Sequence, residues 1–224
     1  MFQPFILNTS LNYTLPNIKA NNILATAIRD WTIGTFITYA SGMPILAPAA
    51  QNNLQSLLLR NGTTIGYANR VAGQPVFLKD LNCHCFDPNK SFALNPAAWA
   101  DPAPGTFGTS AAYYGDYRTQ RQPVENFSFG RDFNIRGEGK VKLNIRAEFS
   151  NIFNRSRLPN PTSTNALATR TYVDATTGKT VNLAPTDPPD VNGKASGGFG
   201  FINTAVAPST PASRQGQIVG RITF

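Results

Sequence analysis

Val141-Lys142-Leu143-Asn144-Ile145-Arg146-Ala147-Glu148-Phe149 carries an apolar side chain at every odd position and a charged or amide side chain at every even one. Side chains alternate faces along a strand, so this period of two makes a strand with one greasy face and one wet face. Asn126-Phe127-Ser128-Phe129-Gly130-Arg131-Asp132-Phe133-Asn134-Ile135 keeps the same parity, with Arg131 as the exception. In Gln217-Ile218-Val219-Gly220-Arg221-Ile222-Thr223-Phe224 the even positions are mostly apolar. What the greasy faces touch, a protein core or lipid, decides the fold.

Five segments read as strands, at about 2–15, 31–43, 124–135, 140–153 and 214–224. In the first, Phe5, Leu7, Leu11, Tyr13 and Leu15 oppose Asn8, Ser10, Asn12 and Thr14. In the second, Trp31, Ile33, Ile37 and Tyr39 oppose Thr32, Gly34, Thr38 and Ala40, with Phe36 out of pattern. Each segment exceeds the roughly five or six residues of a soluble strand and is long enough to cross a bilayer when tilted. The connections alternate in length. Residues 16–30 are short, 44–123 long, Arg136-Gly137-Glu138-Gly139 a tight glycine turn, and 154–213 long again. Connections that long are uncommon in a compact domain. Short periplasmic turns alternating with long extracellular loops are the order of an outer-membrane barrel. With a periplasmic C-terminus, 214–224, 124–135 and 2–15 run inward, and 140–153 and 31–43 run outward. A soluble β-sandwich also alternates, but with shorter strands and turns every 8–12 residues or so. The fold expected is therefore all-β, a partial antiparallel transmembrane β-barrel with two long extracellular loops, 44–123 and 154–213.

A lipid-facing surface also needs aromatic girdles. Phe5 and Tyr13 bracket the first strand, Trp31 and Tyr39 the second, Phe127 and Phe133 the third. Phe149 and Phe153 mark the outer end of the fourth, and Phe224 the inner end of the last. Arg131 on this face would cost about 2–4 kcal/mol at the bilayer midplane. It is expected to lie off the midplane and snorkel, or to sit at a register slip. Lys142, Arg146, Glu148 and Arg221 fall on wet faces and are expected to line the lumen, pairing with one another.

Charged residues are 14% of the chain, with 18 glycines and 17 prolines. Soluble domains carry about 25% charged residues, so this is a composition of strands and polar loops. No apolar run reaches the length of a transmembrane helix. Met1-Phe2-Gln3-Pro4-Phe5-Ile6-Leu7-Asn8 lacks a basic n-region and a long apolar core, so it does not read as a signal peptide, and a preceding segment is expected. The formal charge is +8. The cations are scattered over strand faces and loops without a recognition motif, so nucleic acid is not an expected partner. Cys83-His84-Cys85 holds both cysteines and the only histidine. The spacing is unlike a zinc site, and a bridge between the two would close a very tight ring, so unpaired loop thiols are expected.

No catalytic set, cofactor site or metal site emerges. One histidine and no Gly-x-Ser-x-Gly argue against a Ser-His hydrolase. Asp187 and Asp190 lie among prolines, Gly137-x-Gly139-Lys140 lacks P-loop spacing, and Gly197-Gly198-Phe199-Gly200 lacks a strand–turn–helix setting. The protein is not expected to be an enzyme. In the first long loop the Pro/Gly-punctuated stretch 95–108 is expected to be irregular or to hold one helical turn. Trp99, Tyr113, Tyr114, Tyr117, Arg118 and Arg121 mix aromatic and cationic groups and are candidate substrate-contact residues. Thr162–Asn192 reads as a mobile extracellular loop.

Several stretches resemble the C-terminal end of the barrel of Oar-like TonB-dependent receptors, proteins that often begin with a carboxypeptidase-regulatory-like domain. Leu11-Asn12-Tyr13-Thr14-Leu15-Pro16 is similar to that family's strand ending in Tyr-x-Leu-Pro. Asp30-Trp31 through Tyr39-Ala40-Ser41-Gly42-Met43-Pro44 is similar to its Gly-Trp…Tyr-x-Ser-Gly-x-Pro strand, with Asp30 in place of glycine. Cys85-Phe86-Asp87-Pro88, Leu94-Asn95-Pro96-Ala97-Ala98-Trp99 and Gly105-Thr106-Phe107-Gly108 look like its extracellular loop. Arg146-Ala147-Glu148-Phe149-Ser150-Asn151-Ile152-Phe153-Asn154-Arg155 is similar to its Arg-x-Glu-Phe-x-Asn-x-Phe-Asn signature, the most specific of the set. The resemblance implies outer-membrane localisation, a barrel of about 22 strands with an N-terminal plug, and a segment gripped by TonB. Those parts are not in this chain, whose five strands fall short of the roughly eight of the smallest bacterial barrels. It is expected to be a barrel fragment that does not transport a bulky substrate alone. Its expected partners are outer-membrane lipid, the rest of the barrel and plug, TonB through the N-terminal region, and the assembly machinery. Gln217, Ile222 and Phe224 resemble the sorting signal that machinery reads, although the signal's glycine would fall at Val219 and the chain has Gly220 instead. The rival from another class is a secreted β-sandwich adhesion or glycan-binding module using Trp99 and the tyrosines as a stacking platform.

Expressed by itself, the chain should aggregate in buffer and require detergent. Sedimentation with and without detergent checks this, and a soluble monomer that unfolds cooperatively would defeat the lipid reading.

Overall fold

The computed structural model describes residues 3–16, 23, 29–58, 66–136, 141–205 and 213–224. The expected glycine turn at 137–139, together with Phe2, Lys140 and most of the 16–30 connection, lies outside the described residues. In chain order the strands are β1 (Ile6–Thr14), β2 (Trp31–Ala40), β3 (Pro44–Leu46), β4 (Asn69–Arg70), β5 (Trp99–Ala100), β6 (Tyr113–Arg118), β7 (Gln122–Arg136), β8 (Val141–Ser150), β9 (Arg170–Asp174), β10 (Thr180–Leu183), β11 (Gly193–Gly197) and β12 (Gln215–Thr223). One short helix, α1, spans Leu54–Leu57, and a 3-10 turn spans Pro96–Ala98. The chain divides into a sheet unit (Pro4–Ser41, Gln122–Arg157, Pro208–Phe224) and a loop unit built mainly from Gly42–Arg121 and Leu158–Ala207.

The sheet unit is a five-stranded antiparallel sheet in the order β1-β2-β7-β8-β12. All five strands expected from the alternation are present, and the architecture is all-β. Pairing runs without a break from Ile6↔Ala40 to Thr14↔Thr32, from Ala40↔Gln122 to Trp31↔Arg131, and from Gln215↔Ser150 to Thr223↔Lys142. Between β7 and β8 the register shifts only near the hairpin end, between Asn134 and Arg136. A one-residue slip would move every side chain to the other face, so this register carries parity across the sheet. Tyr13, Ile33, Phe129, Ala147 and Ile218 form a row on one face. Asn12, Gly34, Ser128, Glu148 and Gln217 form the adjacent row on the other. Among the described residues no other element covers the apolar face. Ile218 is 81% exposed and Leu11 56%, which in water would be a large unpartnered greasy surface.

Arg131 does not sit at a register slip. It pairs directly with Trp31, the first residue of β2, and with Ile145. Its guanidinium carbon lies 5.1 Å from the Phe133 ring centroid two residues along the same face, a cation–π contact.

Polar caps hold the strand ends. Asp30 has φ 65°, the left-handed region that glycine enters freely and Asp and Asn tolerate best among the rest. Its carbonyl accepts from Asp132 N at 3.2 Å. Asp30 is thus held in a left-handed conformation that few non-glycine residues tolerate. Beyond β8, Asn151 and Asn154 are both left-handed, with φ 48° and 49°. Asn151 N donates to Asn126 Oδ1 at 3.2 Å, and Ile152 N to the Glu125 carbonyl at 2.9 Å. Arg155 N donates to Asn151 Oδ1 at 2.8 Å, while Asn151 Nδ2 donates to the Arg155 carbonyl at 3.0 Å. Arg214 N donates to Asn154 Oδ1 at 3.0 Å. Residues 151–155 are thus a turn that fastens the end of β8 to β7 and to the segment entering β12.

The loop unit differs from expectation. Its two long connections share two hydrophobic clusters, one with Leu94, Tyr117 and Phe199 fully buried and a smaller one of Leu81, Ala93 and Ile202. They are stitched by Ala93 N to the Gly200 carbonyl at 2.9 Å and by Phe92 N to the Pro189 carbonyl at 3.0 Å. Gly200 is left-handed at φ 81°, and a Cβ there would lie 2.6 Å from Leu94 N, so only glycine fits this approach. Thr162–Asn192, expected to be mobile, instead contributes β9 and β10 to a three-stranded sheet in the order β10-β9-β11. Thr171-Tyr172-Val173 and Thr180-Val181 have strand propensity. The turn between the strands is capped by Asp174 Oδ1, which accepts from Thr176 N at 3.0 Å and Thr177 N at 2.7 Å. The 3-10 turn falls inside the stretch 95–108 as expected, with Asn95 Oδ1 accepting from Ala97 N. Cys83 and Cys85 are joined as a disulfide rather than left as thiols. The turn at His84 sets their Cα atoms 5.2 Å apart, within the span a bridge needs.

Asp190 ties the two connections together. It accepts from Ser91 Oγ at 2.5 Å and from Lys79 Nζ at 2.8 Å. The Lys79 bond, then the Ser91 bond, hold its carboxyl below the usual carboxylate range. A depressed folded value contributes stability above the unfolded value of about 3.9, and that stability is lost as pH falls through the folded value. Urea unfolding followed by Trp99 emission, in a Trp31→Phe background, should therefore show the loop unit weakening below about pH 5. Asp190→Asn should weaken it at pH 7 and flatten the acid limb, and an unchanged limb would remove Asp190 from this role.

Candidate functional site

The polar face of the sheet is the better-built candidate site. A concavity of about 740 Å³ lies on it, bordered by Ser10, Asn12, Phe36, Ser128, Glu148 and Gln217 among others. Register sets its layout. Asn12, Gly34, Ser128, Glu148 and Gln217 cross the five strands in one row, and Ser10 and Phe36 pair in the next. Gly34 makes room in the row. A Cβ there would lie 2.6 Å from Ser128 Oγ and 2.9 Å from Asn12 Oδ1, so two polar side chains converge over its backbone. Glu148 accepts from Gln217 Nε2 at 2.6 Å and pairs with Arg146 Nη2 at 2.6 Å. Expected lumen residues Arg146 and Glu148 are thus mutually paired, and Lys142 and Arg221 lie on the same polar face by register.

A second cluster sits where β7 begins. Glu125 is 2% exposed. It accepts from the Tyr39 hydroxyl at 2.8 Å, and Arg155 Nε donates to its two oxygens at 2.8 and 3.0 Å. Arg155 also covers the Phe153 ring at 5.6 Å. Glu125 shares the parity of Phe127 and Phe129, so it is a carboxylate on the apolar face that sequence alternation did not flag. Its nearest signal is Arg155, at the end of the signature. Tyr39, expected as a girdle aromatic, has its hydroxyl engaged by Glu125, as a partly buried phenol requires. Phe5, Tyr13, Phe133, Phe153 and Phe224 are exposed. Trp31 and Phe149 each lie near Phe129, at 5.9 and 6.2 Å between ring centroids, as does Phe127 at 6.2 Å. Gln217 donates to Glu148, while Ile222 faces the apolar side opposite Leu143.

In the loop unit the six candidate contact residues separate. Trp99 is 4% exposed and Tyr117 fully buried. Their rings lie 5.4 Å apart, with Tyr114 6.0 Å from Trp99. Burial pushes the Tyr117 phenol well above its ordinary value. These rings pack the core and offer no stacking platform. Tyr113 is exposed. Arg118 Nε donates to the Gly115 carbonyl at 2.8 Å and Nη1 to the Gly42 carbonyl at 3.1 Å, bracing the base of the unit. Arg121 donates its backbone N–H to Asn82 Oδ1 at 2.9 Å. The cationic feature that the sequence did not single out is Arg70. It lies 4.7 Å over the Tyr114 ring and is paired bidentately with Asp116. That hydrogen bond holds the Asp116 carboxyl below the usual range. Among the described residues no cluster of three or more His, Cys, Asp or Glu is placed to hold a metal.

Arg155→Ala should leave Glu125 buried without its cation, costing about 1–3 kcal/mol. The double variant Glu125→Gln/Arg155→Ala should recover part of that loss. Urea unfolding of the detergent-solubilised protein reads both, and an unchanged single variant would show the pair to be unimportant.

No curated protein and no solved structure matches the chain significantly. A family model described as an outer membrane beta barrel domain matches residues 2–217. The match takes in the strands of the sheet up to the start of β12, and the chain belongs to the outer membrane beta barrel domain family and is an outer-membrane protein.

Proposed function

We propose that the chain is the C-terminal part of a TonB-dependent outer-membrane receptor that takes up a bulky substrate. The observation that carries this reading is the Arg146–Arg155 stretch. Its resemblance to the receptor signature coincides with a turn whose asparagines adopt left-handed φ and fasten β7, β8 and the entry to β12. A second support is the size and order of the loop unit, which suits capture of a large ligand outside the cell. In this reading the five strands form one arc of the wall. The apolar face meets outer-membrane lipid, the polar face meets the lumen and plug, and TonB engages the plug side. Gln217, Ile222 and Phe224 serve as the assembly machinery's recognition strand. No catalysis and no nucleic-acid binding are part of this role. A secreted β-sandwich module has no support from the family match.

The test is epistasis. Disrupting the gene and inactivating TonB should each abolish growth on the same scarce nutrient, and the double mutant should be no worse than either. A defect that appears only in the gene disruption and is unchanged by TonB, or the lack of any nutrient-specific defect, would sink the proposal.

A further inference from the structure

We infer that the apolar face of the sheet carries, at the end where β8 turns toward β12, a binding site for the phosphate of an outer-leaflet lipid headgroup. The inference deepens the receptor reading by naming a partner at its lipid-facing surface, and it rests on that reading for which end of the sheet lies outside the cell. The segments that meet there are residues 37–41, 122–126, 151–157 and 213–216. Tyr39 pairs with Pro123 and Gln215 with Ser150, and Arg214 N donates to Asn154 Oδ1. These segments hold Arg155, Arg157 and Arg214 against a single carboxylate, Glu125. Glu125 offsets Arg155, and among the described residues neither Arg157 nor Arg214 has an ion-pair partner. The pair itself is lopsided, because the Glu125 side chain is 3% exposed and that of Arg155 45%. The carboxylate is sealed and the guanidinium faces out.

The face on which these cations stand narrows the partner. Arg155 reaches Glu125, which shares the parity of Phe127 and Phe129, and it covers the Phe153 ring at 5.6 Å. Arg214, one residue before β12, keeps the parity of Ile218 and Ile222. β7 and β8 are interior strands, so further strands beside β1 or β12 leave their apolar face uncovered. A cation on a lipid-facing surface is costly in the hydrocarbon, and long basic side chains reach for the headgroup level. Aromatic rings mark that level, here Phe149 and Phe153 with the Tyr39 hydroxyl. The anions at that level are headgroup phosphates, which guanidinium groups bind through two parallel N–H···O bonds. A zwitterionic headgroup brings its own cation and leaves the two surplus arginines uncompensated. The site also sets its cations beside bare hydrocarbon, with Phe153 68% and Ile218 81% exposed. A ligand that places an anion next to an acyl chain covers both, and a free phosphate covers only the first. That combination is a phosphorylated lipid.

The test uses the protein extracted from outer membranes in detergent and freed of co-purified lipid. Native mass spectrometry counts bound bisphosphorylated lipid A, the same lipid with its phosphates removed, and inorganic phosphate. Saturable binding of the bisphosphorylated lipid is expected, at least fivefold tighter than of the dephosphorylated form. Arg157→Gln/Arg214→Gln should weaken it at least fivefold. Lys179→Gln/Lys194→Gln removes the same charge from the loop unit and should leave it unchanged. Arg155 is intact in both variants, so Glu125 keeps its cation and a loss of binding is separated from damage to that pair. The inference is overturned by equal binding of the two lipid forms, by binding indifferent to the Arg157/Arg214 double variant, or by equal weakening in the loop-unit variant. Full competition by inorganic phosphate at equal concentration would overturn it too, by showing a free-anion site. None of these readouts requires TonB, so their failure is distinguishable from failure of the uptake proposal, which the epistasis test alone addresses.

Discussion

The dependence of this structure on one constraint is severe. A strand in hydrocarbon finds no water for its N–H and C=O groups, so each must pair with a neighbouring strand. The five strands meet that demand in their interior by keeping one register from β1 to β12. The same register carries the alternation of polar and apolar residues from strand to strand, so hydrogen bonding and face segregation are a single requirement. β1 and β12 are paired on one side only among the described residues. In the bilayer each needs a further strand. Among the described residues the sheet is open, with β1 and β12 as its two edges.

Where strands leave the membrane the constraint changes, and the sequence changes with it. At these ends the chain must reverse without wasting backbone partners. Asp30, Asn151 and Asn154 take left-handed conformations there, and their carbonyls or side chains close the bonds the ladder no longer supplies. Beyond the turns water returns, and a loop is free to remain irregular. The two long connections do not. Together they bury aromatic and aliphatic side chains in a core to which the first connection gives most of the residues, Trp99 and Tyr117 among them, and the second gives Ala166 and Phe199. Ordering two loops against each other makes a defined outer surface at lower entropic cost on binding than two mobile loops would.

Much of the sheet was legible because lipid-facing strands obey a period of two that no tertiary context overrides. The positions of β1, β2, β7, β8 and β12 follow from parity and turn chemistry within a few residues. The loop unit was not legible for the opposite reason. Its strands are short, its polar residues are used as caps and ties, and its core is assembled from residues far apart in sequence. Thr162–Asn192 looks disordered by composition and is ordered by partners it meets only in three dimensions, such as Ser91 and Lys79 for Asp190. Trp99 and Tyr117 look like surface aromatics for the same reason. Periodicity reports which face a residue takes, and in an irregular segment there is no face to report. Glu125 escaped because its partners, Tyr39 and Arg155, lie far from it in the chain.

The departures from alternation are the informative positions, because each must be compensated or used. Arg131, opposite Trp31, breaks the apolar face and is accommodated by the Phe133 ring. Glu125 breaks the same face and is neutralised by Arg155 and the Tyr39 hydroxyl. Phe36 breaks the polar face and is left bare, with no aromatic partner among the described residues and a concavity before it. An uncompensated apolar ring in water is unfavourable. Phe36 is not alone on that face, since Ile6, 56% exposed and paired with Ala40, and Val219, paired with Arg146, also stand on it, so the apolar side chains of the polar face are the departures that the sheet itself leaves without compensation.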